Sequence, residues 1–167
     1  MTATIRATAP KPPRQAAWSS FHAPPALRAE HADLHRVLAR AARETGEIGA
    51  VARGMVGVMH RHFLTEEQEV MPSLSLLAQL VRGRVPREAA EALTQADRLQ
   101  AQVPELIEEH RHLETELGRL VMAAQREGKP EYADFARRLR LHVQVEEEVL
   151  YPAALLIAEY LKAIRFA

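Results

Sequence analysis

Apolar residues follow a helical period along most of the chain. From residue 27 to residue 41 and from residue 106 to residue 117, the inward positions recur in alternating steps of four and three residues. This spacing places side chains on one face of an α-helix. The positions of the two stripes are Leu27, His31, Leu34, Leu38, Ala41, Leu106, His110, Leu113 and Leu117. Each apolar stripe therefore contains one histidine.

The pattern predicts an all-α four-helix bundle built from two helix-pair repeats. The predicted long helices cover residues 25–46, 47–71, 86–127 and 130–151. Short apolar helices are expected over 73–83 and 153–164, after the second and fourth long helices. Pro104 is expected to kink or divide the third helix, and Gly128 is expected to end it.

Composition limits the class of protein. At 167 residues one domain is expected. The 22 basic residues equal the 22 acidic ones, whereas nucleic-acid-binding domains have a basic excess, so no nucleic-acid partner is expected. The absence of cysteine excludes disulfides, zinc–thiolate sites and iron–sulfur clusters. No apolar run is long enough to cross a membrane, so no membrane partner is expected.

The N-terminal segment differs from the rest. Residues 1–23 are rich in Ala, Thr and Pro, are basic and contain no acidic residue, which predicts a flexible arm before a folded domain at 24–167. The arm lacks the apolar region of a secretory signal, and a cytoplasmic location is expected. Trp18 and Phe21 are candidates to anchor its end on the helices.

One motif occurs twice. Residues 62–72 and 142–152 each contain a His, a Glu four residues later, a second Glu directly after it, and a Pro ten residues after the His. A Glu-His pair precedes each copy, at 30–31 and at 109–110. The repeat period is 79 to 80 residues, so matching residues of the two halves are expected to converge on the middle of the bundle.

The repeated residues are candidate metal ligands. A His and a Glu at i and i+4 lie on the same face of a helix and can bind one centre together. The candidate ligands are His31, His62, Glu66, His110, His142 and Glu146. Glu67 and Glu147 are rotated away from that face and are expected to be hydrogen-bond partners of the ligands, or surface acids.

Other polar residues are weaker candidates. His60 and His112 are expected to face solvent. His35 and Glu114 occupy matching positions in the two repeats, where they are candidates for outer groups or occasional additional ligands. Glu69 lies on the same side of the helix as His62 and Glu66, but Val149 occupies the matching position of the second repeat. This asymmetry suggests that Glu69 is a hydrogen-bonding or gating carboxylate.

Four imidazoles and two carboxylates suit iron, manganese or zinc. Six protein groups leave open coordination positions on two metal ions. Open positions on redox-active iron favour reactions with O₂, peroxide or NO. Two zinc ions would instead offer hydrolysis. No carboxylate is clearly free as a general base, however, and the His-Glu-x-x-His pattern of zinc proteases is absent.

On these motifs, residues 24–155 resemble the hemerythrin-like family of HHE cation-binding domains. The resemblance implies an up-down four-helix bundle around a non-haem di-iron centre with an oxo, hydroxo or water bridge. It also implies that the four candidate histidines are terminal ligands and that Glu66 and Glu146 bridge the two irons. Glu114 and Glu147 stand where oxygen carriers of the family have His and Asp. The pattern is thus closer to bacterial iron–sulfur-cluster repair proteins and to the iron-sensing domain of a ubiquitin-ligase subunit.

The expected function is that of a di-iron protein that binds or senses O₂ or NO, or handles iron in a stress response. Peroxide is a further small-molecule partner, and zinc or manganese could replace iron. Two alternatives stay open. One is a ferritin-like oxidase or peroxidase, whose Glu-x-x-His spacing occurs here only at Glu109 and His112. The other is a metal-free helical interaction module.

Overall fold

The computed structural model describes residues 22–85, 87 and 89–165. Within this part of the chain every regular element is helical, which confirms the all-α prediction. The helices are α1 (Pro25–Ala41), α2 (Gly46–Thr65), α3 (Leu77–Leu80), α4 (Ala89–Arg126), α5 (Pro130–Val145) and α6 (Tyr151–Arg165). Trp18 and Phe21 of the predicted arm lie outside the described residues.

Four of these helices form the bundle. α1 packs on α2, α2 on α4, α4 on α5 and α5 on α1, which closes a ring of four helices. The connections between α1 and α2 and between α4 and α5 are short, so each repeat is an antiparallel helix pair. Both α1 and α5 begin with a proline in the first turn. Proline lacks an N–H, but an N–H at this position would have no acceptor within the helix.

Pro104 was predicted to kink or divide the third helix, and the prediction of a division is wrong. α4 is one continuous helix with Pro104 inside it. Pro104 cannot donate a hydrogen bond to the carbonyl of Gln100, one turn earlier. Both residues are exposed, so water can satisfy that carbonyl without a break in the helix.

A π-helical turn follows α2 at Glu66–Val70, and a second follows α5 at Glu146–Leu150. In both, the backbone N–H of the residue before the motif proline bonds to the carbonyl five residues earlier. The prolines, Pro72 and Pro152, lack the N–H that would continue a regular α-helical ladder. After the first π turn the chain tightens into the 3₁₀ helix Met71–Leu76, whereas after the second it continues directly as α6.

Two apolar clusters fill the interior. The first lies among the four bundle helices, and the second lies where α6 and the 3₁₀ helix close one end. Along α2 and the π turn that follows it, Phe63 belongs to the first cluster and Val70 to the second. Along α4, Leu113 belongs to the first and Leu106 to the second. Glu66 falls between the first two positions and His110 between the other two, so the buried polar residues lie where the two apolar clusters meet.

Candidate metal centre

The structure brings the six predicted ligands together. They come from α1, α2, α4, α5 and the two π turns, and each is at most 5% exposed. They form two groups of four, each with ligand atoms that all lie within 4.8 Å of one another. One group is His31, Glu66, His142 and Glu146, and the other is His62, Glu66, His110 and Glu146. The two glutamates belong to both groups.

The first group is centred on the Nε2 atoms of His31 and His142. Nε2 of His31 lies 3.6 Å from Oε2 of Glu66 and 3.5 Å from Oε1 of Glu146. Nε2 of His142 lies 2.7 Å from the same Oε1 atom, in a geometry that makes no hydrogen bond. Two imidazoles and two carboxylates thus face one point.

The second group repeats this arrangement. Nε2 of His62 lies 3.5 Å from Oε2 of Glu66, and Nε2 of His110 lies 3.5 Å from Oε2 of Glu146. The two Nε2 atoms are 3.0 Å apart. Both imidazoles direct Nδ1 to a carboxylate, which places the proton on Nδ1 and a lone pair on Nε2. Two lone pairs in contact cannot share a hydrogen bond, so they are arranged to face a cation.

Each of the four candidate ligand histidines has a glutamate behind it. The Nδ1 contacts are His31–Glu67 at 3.1 Å, His110–Glu147 at 2.8 Å, His62–Glu109 at 2.8 Å and His142–Glu30 at 3.3 Å. The first two pairs lie within one repeat, and the other two connect the repeats. A carboxylate behind a metal-binding imidazole fixes the ring and raises its basicity. Glu67 and Glu147 therefore occupy the supporting positions predicted for them.

Several buried atoms in the centre have no hydrogen-bond partner. They are Nε2 of His31, Nε2 of His142, Oε2 of Glu66 and both carboxylate oxygens of Glu146. A buried polar atom without a partner is destabilising by about 1–3 kcal/mol. Five such atoms converging on two points would be satisfied by two cations, so the residues present fit a pair of metal ions.

The electrostatics of the metal-free centre favour neutral groups. Burial lowers the pKa of both His31 and His62 to about 3. Burial also raises the pKa of Glu146 to about 8, and burial together with the charge of Glu146 raises the pKa of Glu66 well above its ordinary value. Divalent ions would supply the positive charge that keeps both carboxylates ionised.

Tyr151 is a site residue that the sequence analysis did not select. Its buried hydroxyl donates a hydrogen bond of 2.5 Å to Oε1 of Glu66 and lies 3.5 Å from Nε2 of His110. Its ring stacks on that of His110. The matching residue of the first repeat is Met71, which has no donor to offer Glu146. A comparison of the two motif copies at this position would have revealed the asymmetry.

The other histidine candidates lie outside the centre. His60 and His112 are exposed, as predicted. His35 is half-buried, and its ring packs against that of His60. Because Glu109 supports His62 and His112 faces solvent, the ferritin-like Glu-x-x-His pair does not form a ligand pair.

The remaining carboxylate candidates have partners of their own. Glu114 accepts hydrogen bonds from Nε of Arg140 with both oxygens, at 2.9 Å each, on the surface. Oε1 of Glu69 lies 3.6 Å from the guanidinium of Arg98. Neither carboxylate belongs to the two ligand groups, so neither takes the role of an additional ligand in this arrangement.

A family model for the hemerythrin HHE cation-binding domain matches residues 22–154. The chain belongs to the hemerythrin family. The matched range contains all six residues of the two groups, and the buried His/Glu clusters of this hemerythrin domain are compatible with a metal site. No curated protein and no solved structure gives a significant match to the chain. Of the helices described, none is both long and apolar enough to cross a membrane.

Proposed function

We propose that this hemerythrin domain holds two iron ions between its four buried histidines and its two shared glutamates, and that a small molecule, O₂, NO or peroxide, binds there. The observation that carries this proposal is the overlap of the two ligand groups. Glu66 and Glu146 belong to both, whereas each histidine belongs to one. Two carboxylates shared by two pairs of imidazoles suit two adjacent ions bridged by both carboxylates.

The number of donors decides what each metal could do at these positions. Each position would receive two imidazole nitrogens and an oxygen from each shared carboxylate, which makes four protein donors. Four donors complete the tetrahedral shell that structural zinc prefers. Non-haem iron that reacts with small molecules keeps open positions beyond its protein ligands. Iron in these positions supplies redox chemistry and a binding place for O₂, NO or peroxide.

The protein residues around the centre would keep the ligands in place. The four outer glutamates orient the imidazoles and hold their protons on Nδ1, so that every Nε2 is ready to bind without losing a proton. The apolar layers on both sides exclude water, which strengthens the electrostatic interactions inside. Tyr151 holds one oxygen of Glu66 by a hydrogen bond, and no equivalent bond exists at Met71, so the two metal positions are inequivalent.

The decisive experiment is metal analysis of protein that has been purified and reconstituted with Fe²⁺ under anaerobic conditions. We expect about two irons per chain, and near-ultraviolet absorption that develops on exposure to air. NO and O₂ titrations of the reduced protein would then separate ligand binding from the simple handling of iron. Sustained consumption of peroxide with a reductant would assign a peroxidase activity to the same centre.

A matched pair of variants tests the residues. His110 and His112 lie two positions apart on α4, but only His110 is buried in the centre. H110A is expected to lose iron and the air-induced absorption, and H112A is expected to keep both. Zinc as the sole metal retained, or no metal after reconstitution, would overturn the proposal and favour a hydrolytic or metal-free structural role.

A further inference from the structure

Two surface pockets are related by the same repeat as the metal centre. A pocket of about 350 Å³ between α1 and α2 reaches His31 and Glu67. A pocket of about 240 Å³ between α4 and α5 reaches the matching residues, His110 and Glu147. Each pocket thus opens on the outer side of one ligand histidine and its supporting carboxylate.

The outer walls of the two pockets differ in chemistry. In the second pocket, Glu114 and Arg140 face each other and form a two-pronged ion pair. The repeat period places His35 and His60 at these two positions in the first pocket. Their rings lie with centroids 5.6 Å apart and with planes inclined by 63°. The salt bridge of the second pocket therefore corresponds to two imidazoles in the first pocket, one from α1 and one from α2.

The separation of these imidazoles is that of a chelating pair. A metal ion bound at about 2.0–2.1 Å by one nitrogen from each of two imidazoles holds the ring centroids roughly 4.5–6 Å apart, depending on the angle between the two bonds. The pairs within the two buried ligand groups lie at 5.0 Å for His31 and His142 and at 4.7 Å for His62 and His110. His35 and His60 fall in the same range, and their partial exposure leaves the rings free to rotate toward a common ion.

We propose that His35 and His60 form a third site, at the surface, for one divalent transition-metal ion of the class that prefers imidazole, such as Ni²⁺, Cu²⁺ or Zn²⁺. The carboxylate of Glu67 lines the same pocket and supplies negative charge. Arg28 also lines the pocket, and its charge acts on Glu67, so the carboxylate and the guanidinium offset each other. The site shares none of the six candidate ligand residues of the buried centre, although Glu67 also supports His31.

Nickel is the probe for the test. Iron-loaded full-length protein is titrated with Ni²⁺ in a calorimeter, and its iron content is measured before and after. We expect wild type and H112A to bind one Ni²⁺ that H35A/H60A does not bind, with the same iron content in all three proteins. H112A removes an exposed histidine outside the pocket and so controls for general surface binding.

A second variant tests the geometry directly. E114H/R140H replaces the ion pair of the second pocket with the two residues found in the first, and it is expected to bind one Ni²⁺ more than wild type. Equal Ni²⁺ binding by wild type and H35A/H60A would overturn the proposal, and so would the absence of a gain in E114H/R140H. Iron analysis is separate from the Ni²⁺ count, so a failure of the di-iron proposal would be recognised independently.

Discussion

Glu109 on α4 accepts a hydrogen bond of 2.8 Å from Nδ1 of His62 on α2, and so connects the two halves of the bundle. The matching contact runs in the other direction, from Glu30 in the first half to Nδ1 of His142 in the second, at 3.3 Å. Each half therefore contributes candidate ligands of its own and a supporting carboxylate to the other half. Because of this exchange, neither helix pair contains a complete set of oriented ligands.

Replacement of Glu109 is expected to weaken metal binding without changing the ligands themselves. E109Q keeps an oxygen that can accept the Nδ1 proton but loses the charge that makes the imidazole more basic. E109A loses both. We expect iron affinity to fall by about 10-fold in E109Q and by up to about 100-fold in E109A, as measured by competition with a chelator.

Glu108 provides the control for this prediction. It precedes Glu109 on α4, is exposed, and pairs with Arg111 on the surface. E108A should bind iron as wild type does. Equal affinities of E109A and wild type would show that the interaction between the two halves does not contribute to metal binding.

Tyr151 is expected to make the two metal positions different. Y151F removes the hydroxyl that donates to Glu66 but keeps the ring that stacks on His110. We expect about two irons per chain to remain, with a changed visible spectrum and a changed affinity for NO, because one of the two shared carboxylates loses its hydrogen bond. The lost bond should lower the free energy of unfolding by about 1–2 kcal/mol.

Tyr160 lies on the same helix with its side chain half exposed, so Y160F is the matched control and should leave the spectrum unchanged. An unaltered spectrum and NO affinity in Y151F would mean that Tyr151 has only a structural role.

The bundle and the residues of its centre were predictable from the sequence because both rest on periodicity. The His31 and His110 stripes follow the helical repeat, and the duplicated His-x-x-x-Glu motif places two pairs of ligands on equivalent faces. The proline of each motif copy indicated a disturbance of the helix, but local spacing does not distinguish a kink from a π turn.

Contacts between elements were not predictable in the same way. That Glu109 supports His62 depends on how α4 packs against α2, which no spacing within a helix determines. The role of Tyr151, the first residue of α6, depends on how the two repeats pack, because its hydroxyl bonds to Glu66, 85 residues earlier in the chain. The continuity of α4 through Pro104 depends on exposure, because the carbonyl left without a donor must reach water.

Glu127 is expected to stabilise the end of the bundle remote from the metal centre. Its Oε1 accepts hydrogen bonds from the N–H groups of Glu47, at 2.7 Å, and Ile48, at 3.2 Å, in the first turn of α2. No side chain caps this helix locally, and the negative charge also favours a helix N-terminus. Gly46, at φ 77°, passes so close to Glu127 that a β-carbon would lie 2.7 Å from Oε1.

E127A should therefore lower the free energy of unfolding by about 1 kcal/mol, as measured by chemical denaturation. His62 lies 15 residues after Glu47 on α2, about 22 Å along the helix, so iron content should not change. Q125A removes an exposed residue from the same end of α4 and should have little effect. A loss of iron in E127A would mean that the two ends of the bundle are coupled.

Without metal, the buried carboxylates should make the stability of the protein depend on pH. Bound metal should remove this dependence. Folding raises the pKa of Glu146 from about 4.5 to about 8, so the folded state holds this proton more tightly than the unfolded state. The resulting stabilisation is complete below pH 4.5 and is lost as the pH rises through 8. The low pKa values of His31 and His62 act in the opposite sense, and stability falls as the pH drops below 6.5 toward 3.

E146Q isolates the carboxylate, because glutamine has a similar shape and stays neutral. In chelator-treated protein at pH 8, E146Q should be more stable than wild type by roughly 1–4 kcal/mol, and the difference should shrink toward pH 4.5. With Fe²⁺ present the order should reverse, because bound ions are expected to stabilise folded wild type, whereas E146Q lacks one of the two shared carboxylates. At pH 8 His31 and His62 are neutral in both the folded and the unfolded state, so they do not contribute to the difference there. A stability difference independent of pH would contradict the assignment of this titration to Glu146.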